Sequence, residues 1–399
     1  MSIQAILPTS DRDLRLDFFR GIANWWIFLG YIPHNVVNWI TPRNYGFSDA
    51  ADLFVFISGY TASFVYARVM LDRGFVVGST RLFKRAWQLY VAYVLLFVVY
   101  VAAIGFVAQR WNVPEIINEF NVSSLFDNPI QTISEALILK FRPANLDLMP
   151  LYIVIVAVFP IVLWCLLRRP DLTMVGSIIL YFAARHFGWN LPAYPEGVWY
   201  FNPFCWQLLF MFGAWFALGG ALGSRAVIRS KALIWIGAAY LLFALVMTLA
   251  GWFESFGALF PDWLYKAFNP NDKTNLAPYR VIHFVIIAFL ITRFIPRDWA
   301  ALETKWLRPA IVCGQHSLEV FCAGLFFAFV AHSMLILHSG FLMQILVSVG
   351  GIALMCAVAY FRQWTQRLDK APPRRVEDGK AAQRPPAPVV NSPAQEKPA

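Results

Sequence analysis

Charged side chains are scarce in this sequence. Asp, Glu, Lys and Arg make up 14% of 399 residues, against 59% hydrophobic, which is too little polar surface to clothe a soluble globule of this size. Paired cysteines are missing as well. Cys165, Cys205, Cys313, Cys322 and Cys356 stand singly inside apolar blocks, without the spacing of a disulfide framework or a metal site, and read as small core residues. No pair among the histidines has the spacing of a zinc motif. Heptads and internal repeats are absent, which excludes a coiled coil and a solenoid. The stretch Met1 to Asp13 mixes acidic and basic residues and no small-residue cleavage site follows the first apolar run, so the first helix is expected to stay as an anchor.

What is abundant is apolar sequence in blocks of roughly 18 to 23 residues, the length a helix needs to cross a bilayer. The pattern predicts an all-α, polytopic integral membrane bundle of about ten transmembrane helices. They are placed near 14–32, 50–67, 87–108, 148–167, 171–187, 204–222, 232–252, 278–295, 310–330 and 341–361. The net charge of +10 is distributed as topology, not as a nucleic-acid footprint. With both termini placed in the cytoplasm, the strongest basic clusters, Arg81, Lys84, Arg85 and Arg225, Arg229, Lys231, fall inside, as the positive-inside rule requires. The longer segment near 109–147 is slightly acidic and is placed outside. The organisation expected is a cytoplasmic segment 1–13, a transmembrane domain 14–361, and a Pro- and Ala-rich tail 371–399 that lacks the apolar residues to fold.

Polar residues inside apolar blocks carry the functional reading, because intramembrane ionisable groups are costly. In the first helix Asp17, Arg20, Asn24, Tyr31, His34 and Asn35 fall within roughly one third of the circumference. They form a stripe facing protein or water, although Asp17 and Arg20 could be an ordinary interfacial ion pair and His34 a helix end after Pro33. Arg20 and His34 would be about 21 Å apart on a straight helix, at opposite ends of one passage. The second block opens with Ser48, Asp49 and Asp52 at capping-box spacing and continues through Ser58, Thr61 and Ser63. It reads either as a well-capped helix or as two carboxylates able to orient His34.

Other polar sites admit a plainer explanation. His186, His283, His332 and His338, like His34, map to the outer ends of helices, and His316 maps inside. Arg185 with His186, and Arg280 with His283, could line an outer vestibule. Gln315, His316, Ser317 and Glu319 sit at the inner end of the ninth helix, with packing as likely a reason as function. Trp189, Tyr194, Trp199 and Tyr200 read first as an interfacial aromatic belt and second as a sugar-stacking surface.

Several blocks stand in a recognisable order: Leu16-Asp17-Phe18-Phe19-Arg20-Gly21, Arg43-Asn44-Tyr45-Gly46-Phe47-Ser48-Asp49-Ala50, Phe54-Val55-Phe56-Ile57-Ser58-Gly59-Tyr60, Asn145-Leu146-Asp147-Leu148-Met149-Pro150-Leu151-Tyr152 and Phe201-Asn202-Pro203-Phe204-Cys205-Trp206-Gln207. Together they resemble the OpgC family of the membrane acyltransferase-3 group. The resemblance implies a multi-pass O-acyltransferase of the bacterial inner membrane. It would move an acyl group, succinyl for this type, from cytoplasmic acyl-coenzyme A to hydroxyls of a periplasmic glucan or related polysaccharide, with no permanently bound cofactor. The group pairs the first-helix arginine with a histidine eleven residues later, and that position here is Tyr31. Either His34, past Pro33, takes the role, or acyl transfer is weak or lost.

Acyl transfer to an alcohol needs a base for the hydroxyl and a charge partner for the thioester oxygen. The candidate base is His34, oriented by Asp49 or Asp52. Arg20, held by Asp17, is the candidate for the coenzyme phosphates, with Arg81, Lys84 and Arg85 adding positive charge. Ser58 and Tyr31 would line the passage between them. The other readings are a transporter or flippase for a glycan or acyl carrier, using the same stripe as its path, and a non-catalytic partner of polysaccharide assembly.

Overall fold

The computed structural model describes residues 13–220, 230–296 and 299–370. The expected N-terminal segment, the tail 371–399, and Arg225 and Arg229 of the second basic cluster lie outside the described residues. The architecture is all α. The main helices are α1 (Leu14–Gly30), α2 (Ala50–Arg110), α3 (Leu148–Arg168), α4 (Pro170–Phe187), α5 (Pro203–Ala217), α6 (Lys231–Trp252), α7 (Pro278–Phe294), α8 (Arg308–Gln315), α9 (Ser317–Leu337) and α10 (Phe341–Lys370). Within the described residues, α2, α3, α6, α9 and α10 are long and apolar enough to cross a membrane, so the protein is a membrane protein.

Helix ends follow local chemistry. Asp13 caps α1 by accepting from the Arg15 amide at 3.1 Å, and α1 ends at Gly30, ahead of Pro33, whose ring disfavours a continued helix. At the start of α2, Asp49 accepts from the Ala51 amide while Asp52 accepts from the Asp49 amide at 2.8 Å, a reciprocal capping box. Pro occupies the first turn of α4, α5 and α7, where its missing N–H costs nothing. The single helix expected near 310–330 is instead two, because the backbone at His316 leaves helical geometry between α8 and α9.

Helix α2 is broken at Gly74 (φ 85°, ψ 167°), and its two arms line a common cavity through Tyr66 and Arg85. They therefore fold back side by side. A residue with a Cβ is strained in this conformation, although a methyl group there would meet nothing within 4 Å. Gly74→Ala is accordingly expected to destabilise the protein through backbone strain alone, by about 1–3 kcal/mol, read as a lower melting temperature in detergent with the basal architecture kept.

Two interfaces bring backbone against backbone. A Cβ at Gly21 of α1 would fall closer than 3.0 Å to the Ala310 carbonyl of α8, and one at Gly314 of α8 would strike the Asp17 carbonyl of α1. The same reciprocity joins α2 to α5 through Gly59 and Gly213. Small residues let membrane helices approach this closely where lipid offers no competing hydrophobic drive. Arg20 follows from the first interface and Ser58 from the second, so these contacts set the walls of the site.

Candidate functional site

Two cavities open along the α1–α2 pair. The first, of about 220 Å³, is lined by Arg20, Ser58, Thr61, Tyr66, Arg85 and Ser317 among its polar groups, with Phe54, Leu148, Met149, Tyr152 and Phe321 as apolar wall. Arg20 is fixed there: its guanidinium lies 4.0 Å from Asp17 and donates to the Thr61 hydroxyl, which in turn donates to the Ile57 carbonyl at 2.9 Å. Arg20 and Asp17 are both buried, so the pair is not an exposed interfacial one. Arg81 and Lys84 are exposed on the surface beside Arg85.

The second cavity, of about 50 Å³, is lined by Tyr31, Thr41, Arg43, Asp49, Ala50, Ala51 and Lys273. It lies one turn of α2, about 6 Å, from Phe54 on the wall of the first. Phe54 stacks on Phe321 with ring centroids 5.3 Å apart at this boundary. Tyr31 thus stands roughly 16 Å along α1 from Arg20, at the other cavity.

An ionic cluster walls the second cavity. Asp49 takes a 2.6 Å bond from Lys273 Nζ and lies 3.4 Å from Arg280, and Asp52 pairs with Arg280 at 2.5 Å. Burial alone would raise the Asp49 carboxyl, but Lys273 and Arg280 hold it well below the usual carboxylate range. The Ser48 amide donates to His283 Nδ1 at 3.2 Å, which makes that nitrogen an acceptor. The 269–277 loop carries Lys273 and is itself anchored: Arg185 bonds Asp272 and the Asn275 carbonyl, and Trp206 Nε1 donates to the Lys273 carbonyl at 3.0 Å.

Asp147 completes the region. It precedes α3 and pairs with Arg142 Nε at 3.3 Å, while the Arg142 guanidinium lies 4.6 Å over the Trp199 ring. Burial pushes the Asp147 carboxyl up to about 6, against the pull of Arg142 and Lys273. Trp199 is buried as a platform for Arg142, whereas Trp189 and Tyr200 remain exposed.

The structure brings Arg20, Ser58 and Arg85 to one cavity, with Asp17 beside Arg20, and Tyr31 and Asp49 to the other, with Asp52 directly behind Asp49. It does not bring His34 to either. Because α1 ends at Gly30, the helical stripe stops before His34, which sits at φ 53° on an exposed segment. Asn35 turns away to bond Ser348 at 2.8 Å. Within the described residues no hydrogen bond joins His34 to Asp49 or Asp52, whose partners are Lys273 and Arg280. Glu319 is used by Arg362 at 3.1 Å, and the Ser317 carbonyl lies 3.5 Å from Asn24 Nδ2.

Sequence reasoning missed Lys273, Arg142 and Asp147 as site residues. Asp147 had a signal, since it sits in one of the family-like blocks. Lys273 had none, because a lone lysine in a polar loop is normally solvated. Among the described residues, no three His, Cys, Asp or Glu side chains converge as metal ligands would. No solved structure matches the chain. A family match does, and it runs over residues 12–367, across both cavities and every helix that builds them: the chain belongs to the OpgC protein family.

Proposed function

We propose that this protein is an O-acyltransferase of the bacterial cytoplasmic membrane that passes an acyl group, succinyl by family resemblance, from cytoplasmic acyl-coenzyme A to hydroxyls of a periplasmic glucan. Membership of the OpgC family supports a glucan-modifying transferase. The observation that carries the finer reading is the pair of cavities set end to end along α1 and α2. One is cationic, with Arg20 and Arg85 suited to phosphate and thioester oxygens. The other is lined by a phenol, a carboxylate and an ammonium, groups suited to sugar hydroxyls. The basic side chains Arg81 and Lys84 beside the first cavity favour its facing the cytoplasm, with both termini inside and about ten spans.

Arg20→Gln is expected to raise KM for the acyl donor and to lower turnover, since it removes a fixed cation from the donor cavity. His34→Ala is expected to stay far above the roughly 100-fold loss that removal of a general base brings, because its exposed ring lines neither cavity. Transfer assays on the purified protein, with acyl-coenzyme A and glucan varied separately, check both.

Tyr31, in the place of the group's histidine, favours one other reading, a non-catalytic partner of glucan assembly. Glucans extracted from cells with and without the protein separate the possibilities. Loss of ester-linked acyl groups supports the enzyme, loss of periplasmic glucan with normal substitution supports transport, and unchanged esters with disturbed assembly support the partner.

A further inference from the structure

We propose that Asp147 is the catalytic base that takes the proton from the acceptor hydroxyl, an inference that rests on the acyl-transfer reading above. Its position is the first argument. Asp147 stands immediately before Leu148 and Met149, which form part of the wall of the Arg20 cavity. It is also within electrostatic reach of Tyr31 and Lys273, which line the second cavity. It therefore sits where a thioester entering from one side and a hydroxyl entering from the other would meet.

The second argument is availability. Three carboxylates border this region, and two are clamped. Asp52 is fully buried against Arg280, and Asp49 is held by both Lys273 and Arg280. Cations this close make Asp49 a poor proton acceptor, and the complete burial of Asp52 keeps it out of reach of a hydroxyl. Asp147 has one longer ion pair, to Arg142, and its side chain keeps 24% of its surface accessible. The charged and titratable groups that face it are Arg142, Lys273 and the phenols of Tyr31, Tyr93 and Tyr100. The two cations keep it ionised at neutral pH, while burial keeps it more basic than an exposed aspartate, which is the compromise a general base requires.

The step balances without a further reactant. The hydroxyl oxygen attacks the thioester carbonyl carbon, the C–O bond forms and the C–S bond breaks. The hydroxyl proton passes to Asp147 and from it to the departing thiolate. The products are the ester and the free thiol, with the carboxylate restored.

The test is acyl transfer by the full chain in detergent or nanodiscs, from acyl-coenzyme A to a soluble glucan, across pH. The wild-type rate is expected to fall about tenfold per pH unit below 6, because the protonated carboxyl is no base. Asp147→Asn should lower kcat by about 100-fold or more with little change in either KM, and the residual rate should lose this acid limb. Asp147→Glu should keep the fold and part of the rate, with the limb displaced upward, as the higher ordinary pKa of glutamate demands. If Asp147→Asn retains the wild-type rate, or if the limb does not move in Asp147→Glu, Asp147 is not the base and the acyl-transfer reading stands without it. If the wild type itself transfers no acyl group from any acyl-coenzyme A supplied, that reading falls and takes this inference with it.

Discussion

Arg280→Met is expected to cost about 3–5 kcal/mol of stability, enough to leave little folded protein after extraction. The guanidinium is 3% exposed and its partner Asp52 is 0% exposed. Removing the cation leaves that buried carboxylate without its charge partner and also takes one of two cations from Asp49. The opposite expectation, a near-neutral change, holds when both members are replaced together by apolar residues, because the desolvation cost of the pair disappears with it. A double-mutant cycle of Arg280→Met and Asp52→Leu, followed by thermal unfolding in detergent, should therefore recover most of the loss in the double variant. Additive losses would mean that Arg280 acts through some contact other than Asp52.

Gly59→Leu is the second large effect, and it should remove activity along with stability. A Cβ at Gly59 would lie closer than 3.0 Å to backbone atoms of Phe210, which cannot rotate away as a side chain could. Helices α2 and α5 must separate, at about 1–3 kcal/mol or more. The adjacent Ser58 and the Thr61 hydroxyl that holds Arg20 move with α2. Gly213→Leu should give the same result from the other side, since its Cβ would meet the Phe56 carbonyl. Because packing is the main force between membrane helices, folded yield and donor KM should worsen together in both variants. A variant with normal yield and unaltered KM would show that the interface can yield without disturbing the donor cavity.

How much of this was legible before the structure depends on the range of the interaction concerned. Each of the ten expected apolar blocks corresponds to helix in the structure, because hydrophobic length is written locally. The α2 cap was legible in part: a serine and an aspartate at capping-box spacing were expected there, whereas Asp49 and Asp52 close the box and Ser48 bonds His283. The first-helix stripe was legible only in part. Asp17, Arg20 and Asn24 lie on true helix, but extending the wheel to His34 assumed continuity past Gly30, and the helix stops there. The pairing of Arg280 with Asp52 spans 228 residues, and nothing in either neighbourhood names the other.

By itself the sequence determined that this is an all-helical membrane protein, where most of its apolar helical blocks fall, and that Asp17, Arg20, Asp49 and Asp52 are too polar for lipid to surround. Those are consequences of transfer free energy and of spacing within a few residues, and both can be read along the chain. Only the tertiary structure decided that Tyr31 lines a cavity while His34 is exposed, that Asp49 and Asp52 answer to Lys273 and Arg280, and that Asp147 pairs with Arg142. Those facts depend on how glycine-mediated helix contacts bring distant segments together, and burial and charge at a point in space are set by every segment that meets there.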